Sequence, residues 1–164
     1  MNIHEVNITD DKYPVKLKNI YEPPKKLYVC GNVNILNNDG IAIIGCRNCS
    51  RYGAIVTRKI AFLLDKKKFN IISGLARGID TNAHIGTLNS NGTTIAVLGS
   101  GLDNIYPHEN IEVAKKIVNS GGAVITEYPL GTKPIPKNFP KRNTIISGLA
   151  DSIIVVEAKK KSGA

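Results

Sequence analysis

The sequence predicts an α/β fold: a doubly wound, mostly parallel sheet with helices on both faces. Three observations point there. Five short runs, at 41–44, 70–73, 93–98, 123–126 and 152–156, have strand length and the apolar character of strands buried on both faces. Stretches with helical apolar spacing lie between them. Glycines cluster just beyond the first three runs. Alternation of this kind makes right-handed crossovers in a parallel sheet.

Residues 1–38 are rich in Asn, Lys and Pro, and the adjacent Pro23 and Pro24 forbid a long helix there. Only 27–30 reads as strand. The segment is expected to be an N-terminal extension packed on a domain that occupies 39–164. After Asp39 and Gly40 the pattern becomes regular. An apolar strand over 41–44 ends at Gly45. Ser50 can cap a helix over 52–64, where Ile55, Ile60, Leu63 and Leu64 recur at helical spacing. Lys66, Lys67 and Lys68 then sit at its C-terminal end, where cations suit the helix dipole. The strand at 70–73 follows, with Asp80 the expected cap of a helix over 81–89. Next come a strand over 93–98, a helix over 109–119 and a strand over 123–126. A loop carrying Pro129, Pro134, Pro136 and Pro140 leads to a helix over about 142–150 and the last strand, 152–156.

At 164 residues the chain has the length of one domain. With 42% apolar and 21% charged residues it has a globular balance. Its longest apolar stretches, about four to six residues, fall far short of the ~20 that a membrane span needs. The start of the chain has acids and no Lys or Arg, unlike a signal peptide. Cys30, Cys46 and Cys49 do not make a disulfide framework. A soluble, cytoplasmic protein with no membrane contact is expected. Lys and Arg number 22 against 13 acids, a net charge of +9 that favours polyanionic partners. Residues 133–161 supply five of those nine charges. Solubility alone explains the excess equally well, and aromatics at 5% offer no obvious stacking platform for bases.

In an open parallel sheet a ligand lies beyond the carboxyl ends of the strands, over helix N-termini. Reading past each strand collects Gly45-Cys46-Arg47, then Ser73-Gly74-Leu75-Ala76-Arg77-Gly78, then Gly99-Ser100-Gly101, then Glu127 and Glu157. Glycine lets backbone N–H groups approach an anion, and Arg47 and Arg77 add fork-shaped donors for phosphate. Any one of these glycines can be explained by a tight turn. Three such turns with two arginines on one edge point to an anion site. No Gly-x-x-x-x-Gly-Lys-Ser/Thr occurs, and Asn104 stands where a dinucleotide fingerprint after Gly99 wants glycine. No cofactor is expected. Cys46-x-x-Cys49 reads as a passive turn, because only Cys30, His4, His84 and His108 remain as further metal ligands and none is suitably paired. His84 reads as a packed helix residue. Asp80 and Glu127 are either a paired acid and base or a cap and a lone strand-end carboxylate. No Ser/His/Asp order is visible, so neither a catalytic nor a metal residue is assigned.

The motifs then converge on one family. Ile43-Ile44-Gly45-Cys46-Arg47 with Ser50, Tyr52 and Gly53 resembles the Gly-Ser/Thr-Arg turn of the DprA/Smf DNA-processing proteins. Ser73-Gly74-Leu75-Ala76-Arg77-Gly78-Ile79-Asp80, with Ala83-His84 and Leu88, is similar to that family's signature. So are Gly99-Ser100-Gly101 with Leu102-Asp103 and Tyr106-Pro107, Thr126-Glu127-Tyr128-Pro129, and Phe139-Pro140-Lys141-Arg142-Asn143. Tyr13-Pro14, Leu17, Leu27-Tyr28 and Gly31 extend the likeness, which spans about 13–163.

The resemblance implies an extended Rossmann-like domain that binds single-stranded DNA, protects it and helps load RecA recombinase in natural transformation, without being an enzyme. It places DNA at Gly45, Cys46, Arg47, Ser73, Gly74, Arg77, Gly99, Ser100, Lys137, Phe139, Lys141 and Arg142. Arg47 matches the family's DNA-contacting arginine, and the 137–142 stretch its second basic contact. Phe139 is a candidate to stack on a base, with core packing the equal alternative. Cys46 stands where the family has Ser or Thr. The chain stops at Ser162-Gly163-Ala164, so the domain is expected to be incomplete there. The surfaces for a homodimer and for RecA would then be absent, while DNA binding at the strand edge could survive. The competing reading is a nucleotide-binding enzyme such as a nucleoside-monophosphate phosphoribohydrolase. Its Pro-Gly-Gly-x-Gly-Thr-x-x-Glu motif does not follow Ser120-Gly121-Gly122-Ala123.

Overall fold

The structure, a computed structural model, describes residues 2–158. Lys159–Lys161 of the basic segment and the Ser162-Gly163-Ala164 terminus lie outside the described residues. Seven strands form one sheet in the order β1-β2-β6-β5-β4-β3-β7. The core is parallel: β3 (Gly40–Gly45), β4 (Asn70–Ser73), β5 (Thr94–Val97), β6 (Ala123–Thr126) and β7 (Ser152–Val156) run side by side. The chain steps from β3 outward to β6 and then returns to place β7 on the free side of β3. That reversal between β3 and β7 is the topological switch point of a doubly wound sheet.

The two faces bury different helices. One carries α2 (Arg51–Lys66), α3 (Ile79–Leu88) and α4 (Ile111–Asn119), packed on Ile43, Ile71, Ala96, Leu98 and Val124. The other carries α1 (Val15–Lys18) and α5 (Asn138–Leu149), packed on Ala42, Ile72, Ile95, Val97 and Ile125. Alternate residues of each strand thus serve opposite layers. Ser50 caps α2 as expected, its hydroxyl accepting the Gly53 N–H at 2.9 Å.

Three local expectations change. The N-terminal segment is more than an extension with one strand: β1 (Ile3–Asn7) and β2 (Lys26–Gly31) pair antiparallel and join the sheet through β2 and β6. In β1 only Val6 is buried, so no apolar run announces it. Tyr13 is fully buried, and its hydroxyl donates to the Pro24 carbonyl at 2.6 Å. Burial, reinforced by the negative charge of Glu127, pushes its phenol up to about 12. Asp80 does not cap α3. The helix starts at Ile79, after Gly78 at φ +74°, where a Cβ would collide with the Cys46 carbonyl oxygen. Helix α5 begins four residues earlier than 142, at Asn138, because Pro140 falls in its first turn, where a missing N–H costs nothing.

If β2 belongs to the cooperative core, Leu27→Ala, at a fully buried position, lowers stability by about 2–5 kcal/mol. Urea unfolding reads this as a shifted midpoint. A loss below ~0.5 kcal/mol, the size of an exposed surface change, would show that the N-terminal strands add nothing to the core.

Candidate nucleic-acid interface

The carboxyl ends of β3, β4 and β5 and the first turn of α5 meet in an open cleft lined by Arg47, Gly74, Ala76, Arg77, Tyr106, Pro107 and Phe139. Four of the residues expected there are thus brought together: Arg47, Gly74, Arg77 and Phe139. The Arg47 guanidinium lies 5.3 Å from the Phe139 ring centroid and is exposed. Tyr106, 39% exposed, leans on the same ring with centroids 6.2 Å apart and planes tilted by 54°. Sequence reasoning had no role for Tyr106, since a lone aromatic in a loop carries no spacing signal.

Arg142 is the largest departure. It was expected to face DNA, yet it is 4% exposed. Its guanidinium donates to the Gly74 carbonyl, to the Val97 carbonyl at 2.6 Å and to Asn143 Oδ1 at 3.1 Å. It therefore ties α5 to the ends of β4 and β5. Gly74 makes this possible, since a Cβ there would overlap the guanidinium. Arg142 also lies 5.8 Å from the Phe139 centroid, so that ring is held between two arginines. Burial lowers the Arg142 pKa, an effect opposed by the charge of Asp80 and deepened by that of Arg47. Asp80 is itself buried, its Oδ2 accepting the Gly74 N–H at 3.1 Å. Burial raises its pKa, with Arg142 and the Ala76 and Gly74 amides pulling it back.

Two other expected contacts, Ser73 and Ser100, also turn inward, while Cys46 stays partly exposed. Ser73 is buried and its hydroxyl donates to the Ile43 carbonyl at 2.6 Å. Ser100 is buried and donates to the Asn104 carbonyl at 2.7 Å. Gly45 is the last β3 residue, in register with Val156. The Gly99 carbonyl accepts from Asn138 Nδ2 at 2.9 Å. Cys46 is partly exposed, and its thiol donates to the Asn48 carbonyl at 3.3 Å. Each is explained by packing, because sequence order at a strand end does not say which way a side chain turns.

Internal carboxylates hold two of the cations. Arg77 makes a two-pronged contact with Glu109, Nε to Oε1 at 2.5 Å and Nη2 to Oε2 at 2.9 Å. Lys141 Nζ sits 2.5 Å from Glu127 Oε2, whose side chain is only 8% exposed. Lys137, exposed just before α5, makes no ion pair among the described residues, and neither does Arg47. His84 is fully buried in α3, with Nδ1 2.8 Å from the Thr94 hydroxyl. That hydroxyl donates to the Ile71 carbonyl at 2.6 Å, so His84 Nδ1 carries the proton and Nε2 is left without a partner among the described residues. Desolvation, with the nearby Arg142 charge, lowers its pKa to about 3. Such a histidine is a packing residue.

The motif likeness is matched by direct comparison. A family model described as DNA recombination-mediator protein A aligns with residues 4–164. The chain belongs to that family. Protein Smf from Synechocystis is 45% identical over 159 residues, covering 94% of this chain and 40% of that protein. DNA processing protein DprA from Streptococcus pneumoniae is 43% identical, covering 96% of this chain and 55% of its own length. The chain thus spans about half the length of these curated relatives. The X-ray structure of the S. pneumoniae DprA superposes with a TM-score of 0.91 at 42% identity, over 98% of this chain and 56% of that one. A DprA from Helicobacter pylori, whose structure concerns that protein's single-stranded DNA binding mode, gives 0.87 at 32%, over 97% and 72%. The mixed sheet, including the N-terminal strands, is the DprA arrangement.

Two outcomes test the buried cluster. Arg142→Ala removes the donor to the Gly74 and Val97 carbonyls, and unfolding free energies should fall by about 1–3 kcal/mol for each buried carbonyl left unsatisfied. His84 is neutral when folded and has an ordinary pKa when unfolded. Between pH ~6.5 and about 3 the unfolded chain therefore binds the extra proton, and stability falls as pH falls. His84→Leu should remove roughly one proton, or ~1.4 kcal/mol per pH unit, from that slope.

Proposed function

We propose that this chain binds single-stranded DNA across the β3–β4–β5 edge and serves as a recombination mediator in natural transformation. The observation that carries this is the cleft itself: exposed cations interleaved with aromatic rings on an open strand edge. Arg47, Arg77, Lys137 and Lys141 are the phosphate-facing set, and their contacts dominate affinity without reading sequence. Tyr106, and the planar guanidinium of Arg47 backed by Phe139, offer surfaces on which a base can stack. Glu109 and Glu127 already partner two of the cations, so a DNA phosphate must displace a carboxylate to reach Arg77 or Lys141.

The reading is of a binding protein that handles incoming DNA in the cytoplasm, not of an enzyme. The strongly shifted histidine is buried, and the Ser50 hydroxyl that Glu157 accepts from serves as the α2 cap. RecA recombinase is the proposed partner, in keeping with the family's recombination-mediator description. The nucleoside-monophosphate phosphoribohydrolase reading has no supporting motif.

Anisotropy of a labelled oligo-dT against a matched duplex, across a salt series, tests this. The single strand should bind more tightly, with log affinity falling by about 0.7 per phosphate contacted for each unit of log salt. Arg47→Ala should cost ~1.5–3 kcal/mol of binding as a lost charge-assisted contact, and Tyr106→Ala ~1–3 kcal/mol as a lost stack. Glu109→Gln frees Arg77 and should tighten binding. Equal affinity for duplex, or wild-type binding by Arg47→Ala, would sink the assignment of the site.

A further inference from the structure

The loop that presents Arg47 is clamped at both ends, and one clamp has no evident structural need. At its start, the Cys46 carbonyl accepts the Ile79 N–H at 3.2 Å, which fixes the loop to the N-terminus of α3. At its end, Glu157 reaches across the switch point from beyond β7. Glu157 Oε2 accepts the Ser50 N–H at 2.7 Å, and Oε1 accepts the Ser50 hydroxyl. That hydroxyl in turn accepts the Gly53 N–H and so caps α2. Space is left for the carboxylate: a Cβ on Gly53 would stand 2.5 Å from the Glu157 carboxyl carbon. Glu157 also holds φ at +52°, a left-handed conformation that costs a non-glycine residue free energy. The donors at Ser50 hold its carboxyl below the usual range.

An exposed acid near an edge that receives a polyanion should be a liability, since it repels phosphate. Its geometry supplies the compensating role. We propose that Glu157 is a positioning residue for Arg47. By pinning Ser50 it fixes the 46–50 loop, so that the Arg47 guanidinium lies on the Phe139 ring and faces the DNA backbone. The effect on DNA rests on the single-stranded DNA reading above, whereas the effect on Arg47 does not.

The sign of the response separates this role from simple electrostatics. Removing a negative charge from a DNA-binding edge strengthens binding if nothing else changes. Glu157→Gln keeps a carbonyl for the Ser50 N–H but gives up both charge-assisted contacts and makes the Ser50 hydroxyl accept rather than donate. It should instead weaken oligo-dT binding about three- to tenfold. In an Arg47→Ala background the same change should cause no further loss. A readout without DNA accompanies it. In wild type the Phe139 ring current shifts the Arg47 side-chain NMR resonances upfield, and in Glu157→Gln they should relax toward random-coil values. Thermal unfolding confirms that the variant is folded. If it is not, Glu157→Asp, which keeps the charge and the Ser50 cap of α2 but shortens the reach to Ser50, takes its place with a smaller loss in the same direction.

Three outcomes overturn the proposal: equal or tighter binding by Glu157→Gln, the same loss when Arg47 is already absent, or unmoved Arg47 resonances. If wild type fails to bind oligo-dT, the DNA reading falls, and the resonances alone decide whether Glu157 places Arg47.

Discussion

One guanidinium, buried where β4 and β5 end, holds the edge in place. Arg142 donates to two strand-end carbonyls, and in doing so it fastens α5 across the end of the sheet. Its own charge is tolerable because Asp80 is buried nearby. Phe139 lies one turn earlier on the same helix, so anchoring Arg142 also sets the ring against Gly99 and beneath Arg47. The exposed face of the cleft is thus supported from below by an internal polar network. Buried networks of this kind fix one arrangement when every member is satisfied.

The charge at the edge is subtler than a basic patch. Arg77 and Lys141 already have carboxylate partners, while Arg47 and Lys137 have none among the described residues. Exposed ion pairs are weak, because water solvates both members and salt screens them. The Arg77–Glu109 pair, with both side chains more than half exposed, therefore orients an arginine without locking it. The Lys141–Glu127 pair differs, since its carboxylate is almost wholly covered. A phosphate approaching there competes with a desolvated partner. The edge thus offers ready contacts at Arg47 and Lys137 and more guarded ones beside them.

Much of the fold was legible. The parallel strands announce themselves as apolar runs, and Asn70–Ser73, Ala123–Thr126 and Ser152–Val156 fall where the pattern puts them. But β7, expected to be buried on both faces, is an edge strand that leaves Ile153 and Val155 exposed. The edge strand β1 was not legible, because an exposed edge buries one residue and leaves no run to read. Strand-end motifs located the cleft and gathered Arg47, Gly74, Arg77 and Phe139. They did not reveal that Ser73, Ser100 and Arg142 turn inward, nor that Glu109, Glu127 and Glu157 answer cations and donors far away in sequence. Those facts depend on side-chain direction and on contacts between distant segments, neither of which periodicity encodes.

The place of β2 in the sheet also bears on the order in which the protein assembles. Tyr28 lies opposite Thr126 and Gly31 opposite Ala123, so the β1–β2 hairpin has its sheet partner in a strand made much later. A two-stranded hairpin alone is at best marginally stable in water. Leu27 and Val29, destined for complete burial, therefore stay uncovered until β6 is synthesised and docks. Such distant pairing is slow to close, since the loop entropy is lost before the contacts form. These strands are made before the rest of the sheet and are the last to be committed, and nascent chains should be most exposed to aggregation and to chaperones during that interval.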